Sequence, residues 1–132
     1  MTDTITLRGL VATTPRHIVT SDGLPITSFR LASTTRRFDR TENRWIDGDT
    51  NWYTITAFRQ LAVNAAHSIT KGQRIILTGV VRIREWETDE RTGTNVEVES
   101  ESIGHDLTWG TAVFSRSVST PSEQEPAEAV SA

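Results

Sequence analysis

An all-β barrel carrying one helix is the fold class the sequence of 132 residues predicts. Three observations carry it. Short segments of alternating apolar and polar residues recur between residues 5 and 101. Such alternation is the mark of half-buried strands, whose side chains point to opposite faces in turn. One stretch, residues 59–70, switches to helical spacing, and the segments are separated by Gly-, Pro- and Asp-containing turns.

The first strand, Ile5-Thr-Leu-Arg-Gly-Leu-Val11, sends Ile5, Leu7, Gly9 and Val11 toward a core, and Gly9 marks a bulge or bend. Residues 13–25 are turn-rich, and the pattern leaves open whether they hold a further short strand. The second strand runs from about Ile26 to Phe38 and buries Phe29 and Leu31. Asp39 to Thr50 reads as a polar connection, long for a hairpin loop and of a length that tends to be functional. The third strand is Asn51 to Phe58. In residues 59–70, Leu61, Ala65 and Ile69 share one stripe, and Lys71-Gly72 reads as a cationic last turn with a glycine cap. A fourth strand spans about Gln73 to Trp86, a hairpin turn Asp89–Thr94, and a fifth strand Asn95–Glu101. Leu107–Phe114 is expected to add an edge strand. Residues 115–132, rich in Ser, Pro, Glu and Ala, have little to bury and are expected to be a disordered tail after a single domain of residues 1–114. Three strands, a helix, then two strands is the order of an OB-fold. That is a five-stranded Greek-key barrel, here with long hairpin loops, and its face and loops bind oligonucleotides or oligosaccharides.

Composition removes several functions. Without cysteine there is no disulfide framework, thiolate nucleophile or Cys-based zinc site. His17, His67 and His105 are scattered with no second ligand at metal spacing, so neither a metal nor another cofactor is expected. Residues 39–50 echo a calcium loop faintly, but Arg44 and Thr50 stand where a glycine and a glutamate are needed. No phosphate-cradling Gly-rich loop occurs, and no catalytic residue is assigned. An enzyme is not expected, a nuclease included. Neither a signal peptide nor an apolar run of membrane-spanning length is seen, which makes a cytoplasmic, nucleoid-associated protein the expectation.

The net charge of −3 is uneven: residues 1–118 are formally neutral, and Glu123, Glu125 and Glu128 supply the excess. Arg30, Arg36, Arg37, Arg40 and Arg44 make a basic stretch; Glu97, Glu99 and Glu101 make an acidic one. Strand parity groups Trp52, Thr54, Thr56 and Phe58 on one face against Tyr53, Ile55 and Ala57. It also groups Arg82, Arg84 and Trp86, and Arg30, Arg36 and Phe38. Threonines between Trp52 and Phe58 argue that this face is open. Large aromatics on an open face are costly unless something stacks on them, and a nucleic-acid base does so while arginines take its phosphates. Trp45 is left open between a DNA clamp, a barrel cover and a subunit contact. Trp109 reads as packing or oligomer interface.

Residues 4–114 resemble the bacterial single-stranded DNA-binding proteins. The likeness runs through Ile5-Thr-Leu-Arg-Gly-Leu10, Phe29-Arg-Leu-Ala-Ser33, Asn51 to Ala66, Thr70-Lys-Gly-Gln73 and Leu77 to Trp86, and Val96 to Val113 is similar to actinobacterial members. The resemblance implies an OB-fold homotetramer that wraps single-stranded DNA without sequence preference during replication, repair or recombination. It places base stacking on Phe38, Trp52, Phe58 and Trp86, with Arg36, Arg37, Arg82 and Arg84 tracking phosphates. Three departures stand out. The chain closes on Pro126-Ala-Glu-Ala-Val-Ser-Ala132, without the aromatic tip by which the family recruits replication and repair enzymes, so recruitment by that route is not expected. Residues 15–23 lack the acidic-Arg-Tyr pattern frequent after strand one. Gln60 and Glu85 stand where some members have lysine. These departures point to an accessory paralogue. Two rival readings remain at this stage, a primosome-accessory-like protein-interaction module and an RNA-binding OB domain.

Overall fold

A computed structural model describes residues 2–117. Its elements are β1 (Thr4–Val11), β2 (Arg16–Val19), β3 (Pro25–Asp39), β4 (Arg44–Phe58), α1 (Arg59–Ser68), β5 (Arg74–Glu87) and β6 (Thr92–His105). They form one sheet in the order β1-β5-β6-β4-β3-β2, and β1 also pairs with β3, which closes the sheet on itself. Leaving out β2, this is the expected OB arrangement, with α1 between the third and fourth strands of the ring. β2 settles residues 12–25: Arg16–Val19 hydrogen-bonds antiparallel to Pro25–Ser28 around a turn in which Gly23 takes a φ of 87°.

The core follows from parity. Leu7 and Val11 on β1, Phe29 and Leu31 on β3, Ile55 on β4, Ile75 and Leu77 on β5 and Val98 on β6 meet inside the ring, and Ala65 and Ile69 from the helical segment cover one end. Each large side chain so buried contributes about 1.5–3 kcal/mol relative to exposure. Thr27 is the polar member. Its hydroxyl donates to the Ala62 carbonyl oxygen (2.7 Å), tying β3 to α1, and accepts from the protonated Nδ1 of His17 (2.7 Å).

Glycine serves close approach at two crossings. Pairing of β1 with β5 is unbroken from Thr4 to Leu10, so Gly9 is not a bulge. A Cβ at Gly9 would lie 2.6 Å from the Ala32 carbonyl oxygen, so the missing side chain is what lets β1 press on β3 and close the ring. Gly79 sits at the one irregularity between β5 and β6, with a Cβ position 2.4 Å from the Glu99 carbonyl oxygen.

Several expectations need correction. The polar connection 39–50 is mostly strand. β3 and β4 continue as an antiparallel arm to the pair Asp39–Arg44, leaving only residues 40–43 as the turn. The Asp39 carboxylate accepts from the Thr41 N–H (2.9 Å), and Asn43 takes a φ of 56°, which asparagine tolerates better than most residues. The period-2 signal is missing there because neither face of the arm is buried. Gly72 is not the helix cap. α1 ends at Ser68 with Ile69 extended as its cap, and Gly72 (φ 94°) instead turns the chain into β5, its N–H bonded to the Val11 carbonyl. Leu107–Phe114 forms no strand. Asp106 turns the chain, accepting from the Thr108 N–H, and leaves Val113 and Phe114 exposed. The Asp106 carboxyl is held below the usual carboxylate range by hydrogen bonds from Thr108, with lesser help from Arg8 and Arg74. The expected tail lies outside the described residues from Val118 onward. No helix among the described residues is long and apolar enough to cross a membrane.

Candidate nucleic-acid interface

Residues directly opposite on paired strands share a face, so the register decides which side chains meet. From the helix end outward, β3 and β4 pair Ile26 with Phe58, Ser28 with Thr56, Arg30 with Thr54, Ala32 with Trp52 and Thr34 with Thr50. β4 and β6 pair Thr54 with Glu97 and Thr56 with Glu99, which carries the same face across to β6. β6 in turn pairs Glu97 with Arg82, Asn95 with Arg84 and Gly93 with Trp86. Trp52, Phe58, Arg82, Arg84 and Trp86 therefore lie on one continuous outer surface. Trp52 faces outward, 50% exposed, while Ile55 on the other face is fully buried.

Each aromatic has a local seat. The Arg30 guanidinium lies 5.7 Å from the Trp52 ring centroid and donates to the Thr54 hydroxyl oxygen (2.9 Å), so it backs the indole and is itself held in place. Trp86, 39% exposed, lies over Gly93; a Cβ at Gly93 would be 2.2 Å from the indole Cζ2. Phe58 is half-buried at the strand-to-helix junction. Arg59, next along the chain, has a φ of 60°, a left-handed conformation that costs a non-glycine residue energy and turns the chain sharply after Phe58.

The outer arm departs from simple parity. Between Thr34–Thr50 and Arg36–Asp47 the register slips, β4 spending three residues while β3 spends two. This bulge, at Gly48-Asp49, leaves the parity of β3 intact and inverts that of β4. Phe38 and Arg36 stay on the Trp52 face, and Trp45, of opposite parity to Trp52, joins them opposite Phe38. Their rings meet edge to face, 5.6 Å between centroids at 75°. Trp45, which sequence reasoning left unassigned, thus joins the candidate face. The signal for it was the Asp47-Gly-Asp49 triplet, a bulge-prone sequence inside what pattern alone reads as a loop. Arg37, opposite Ile46, falls on the reverse face and is not brought together with the others.

The charge is less one-sided than the chain order implied. The acidic stretch on β6 lands between the basic groups. Arg84 pairs with Glu97 (3.0 Å), Arg82 with Glu99 (3.8 Å) and Arg36 with Asp47 (3.6 Å). All three arginines are solvent-exposed, although Glu97 is half-buried, so each is held only weakly. Among the described residues no group of three His, Cys, Asp or Glu could hold a metal ion.

A closed OB sheet with half-exposed aromatics and arginines on its outer face and along the β3–β4 arm defines a class, the OB-fold domains that present an open face to an extended ligand. Within that class the assignment is direct. A sequence profile of the Single-strand binding protein family matches residues 2–106, and the chain belongs to that family. It is 54% identical over 112 residues to Single-stranded DNA-binding protein 2 of Tropheryma whipplei (strain Twist), covering 85% of this chain and 74% of that protein. It is 40% identical to Single-stranded DNA-binding protein 1 of Streptomyces coelicolor over 89% of this chain and 75% of the relative. The fold matches the crystal structure of the small single-stranded DNA-binding protein from Streptomyces coelicolor with a TM-score of 0.75, at 39% identity, covering 84% of this chain and 98% of that one. These relatives agree with the actinobacterial character of residues 96–113.

Proposed function

We propose that the protein binds single-stranded DNA without sequence preference and coats it, as a non-enzymatic partner of replication, repair or recombination. The observation that carries this is the single register-continuous face on which Trp52, Phe58 and Trp86 are separated by threonines and arginines instead of apolar residues. Bases stack on Trp52, Phe58, Trp86 and Phe38, each platform contributing roughly 1–3 kcal/mol, because every base offers a π-face whatever its identity. Arg36, Arg82 and Arg84 serve phosphates by exchanging their exposed carboxylate partners for them. Arg37, on the reverse face, has no part. The exposed Leu107, Val113 and Phe114 support self-association, and with the family likeness they favour a homotetramer.

Titration with oligo-dT while following tryptophan fluorescence, at two salt concentrations, tests this. The expected result is saturable quenching that weakens with salt by about 0.7 in log–log slope per phosphate contacted. Trp52→Ala is expected to lose much of it. Equal competition by duplex DNA, or fluorescence that does not respond, would sink the reading.

A further inference from the structure

We infer that Trp45 is a fifth base-stacking platform, forming with Phe38 a paired aromatic site near the end of the β3–β4 arm. The inference rests on the single-stranded DNA reading and extends it beyond the four aromatics already placed on this face. Three observations converge. The bulge at residues 48–49 delivers Trp45 to the Trp52 face, although its parity alone would send it to the other side. The ring is 59% exposed, more than Trp52, and nothing on an arm open on both faces calls for a tryptophan as packing. Its contact with Phe38 is edge to face. Such a pair occupies one ring face of four, so the two rings keep open faces for bases while bracing one another.

Charge at this end is nearly cancelled. Arg36 faces Asp47, and Arg44 faces Glu42 at 2.6 Å. The site therefore holds nucleotides by stacking more than by phosphate contact, which separates its signature from that of the arginines. It is also remote. Phe38 stands six residues along β3 from Ala32, the partner of Trp52, or about 20 Å at ~3.3 Å per residue. Only a strand long enough to continue past Trp52 along the arm reaches it.

The test compares Trp45→Ala, Trp45→Phe and Trp52→Ala in the full chain, titrated with a short oligo-dT and with one several times longer. Trp45→Ala is expected to weaken binding of the long oligonucleotide by about 5- to 150-fold, one platform's worth. Binding of the short one, the salt slope and the oligomeric mass by light scattering should stay unchanged. Trp45→Phe should retain most of the affinity. With Trp52, Trp86 and Trp109 replaced by Phe, the remaining Trp45 should be quenched by the long oligonucleotide. Wild-type affinity in Trp45→Ala, an unquenched Trp45 at saturation, or a change of oligomeric mass would overturn the inference. If Trp52→Ala weakens both lengths and Trp45→Ala neither, only this site falls. If neither variant matters, the proposed function falls with it.

Discussion

Gly93→Ala offers a way to move a stacking platform without deleting it. Gly93 lies opposite Trp86, and an added methyl carbon would sit 2.2, 2.4 and 2.7 Å from the indole Cζ2, Cε2 and Nε1. Ordinary contact begins near 3.4 Å, so the ring must retreat by more than 1 Å or swing off its seat. It can do so, because Trp86 is 39% exposed and no core side chain rests on it. The cost therefore falls on binding and not on folding. A platform is worth roughly 1–3 kcal/mol, so Gly93→Ala should weaken oligo-dT binding by anything up to the full loss seen in Trp86→Ala, about 5- to 150-fold. Thermal midpoints should differ little from wild type. Anisotropy of labelled oligo-dT against wild type, each single variant and the double variant completes a mutant cycle. The double variant should bind no worse than Trp86→Ala. If Gly93→Ala costs as much in the Trp86→Ala background as in the wild type, or costs nothing while Trp86→Ala is weak, the seat has no role.

Four further outcomes are expected. Glu97→Gln should release Arg84 from its 3.0 Å partner, tightening oligo-dT binding and steepening its salt slope, read by titration at several salt concentrations. Leu31→Ala, at a fully buried core position, should lower stability by ~2–5 kcal/mol in urea unfolding. Thr27→Val keeps the shape but removes both hydrogen bonds of the buried hydroxyl, to the Ala62 carbonyl and from His17; at about 0.5–1.5 kcal/mol per bond, a loss of about 1–3 kcal/mol in the same assay is expected. The Asp106 carboxyl is depressed in the folded chain, so its contribution to the 106–109 turn is complete above its unfolded pKa and is lost as pH falls through the lower folded value. A Trp109 signal that changes only below the usual carboxylate range, and that Asp106→Asn abolishes, would show it.

Trp52 and Phe58 were legible in the sequence because the strand holding them is half-buried. Ile55 and Ala57 needed the core, so Thr54 and Thr56 had to look outward and carried the aromatics with them. Where burial ends, legibility ends too. The arm beyond Thr34 has no inner face, so charged residues alternate with nothing and residues 39–50 pass for a loop. The pairing of Arg82 and Arg84 with Glu99 and Glu97 depends on the register between β5 and β6, which local pattern does not encode. For the same reason, the segregation of basic and acidic stretches along the chain did not survive folding. Leu107–Phe114 has strand-like composition, yet Asp106 turns the chain away before it can pair.

The slip at Gly48-Asp49 makes the recognition surface a matter of counting. Inner and outer halves of β4 obey opposite parities, so the seven-residue step from Trp45 to Trp52 keeps both rings on one face only because the slip lies within it. The same length paired without the slip would roll Trp45 to the back of the arm while Trp52 stayed in place. Removing one residue there would do the opposite, because it takes away the slip and the inversion together and leaves both rings in front. Related chains one residue shorter between the two tryptophans should therefore keep the face and show an unbroken ladder where this chain bulges.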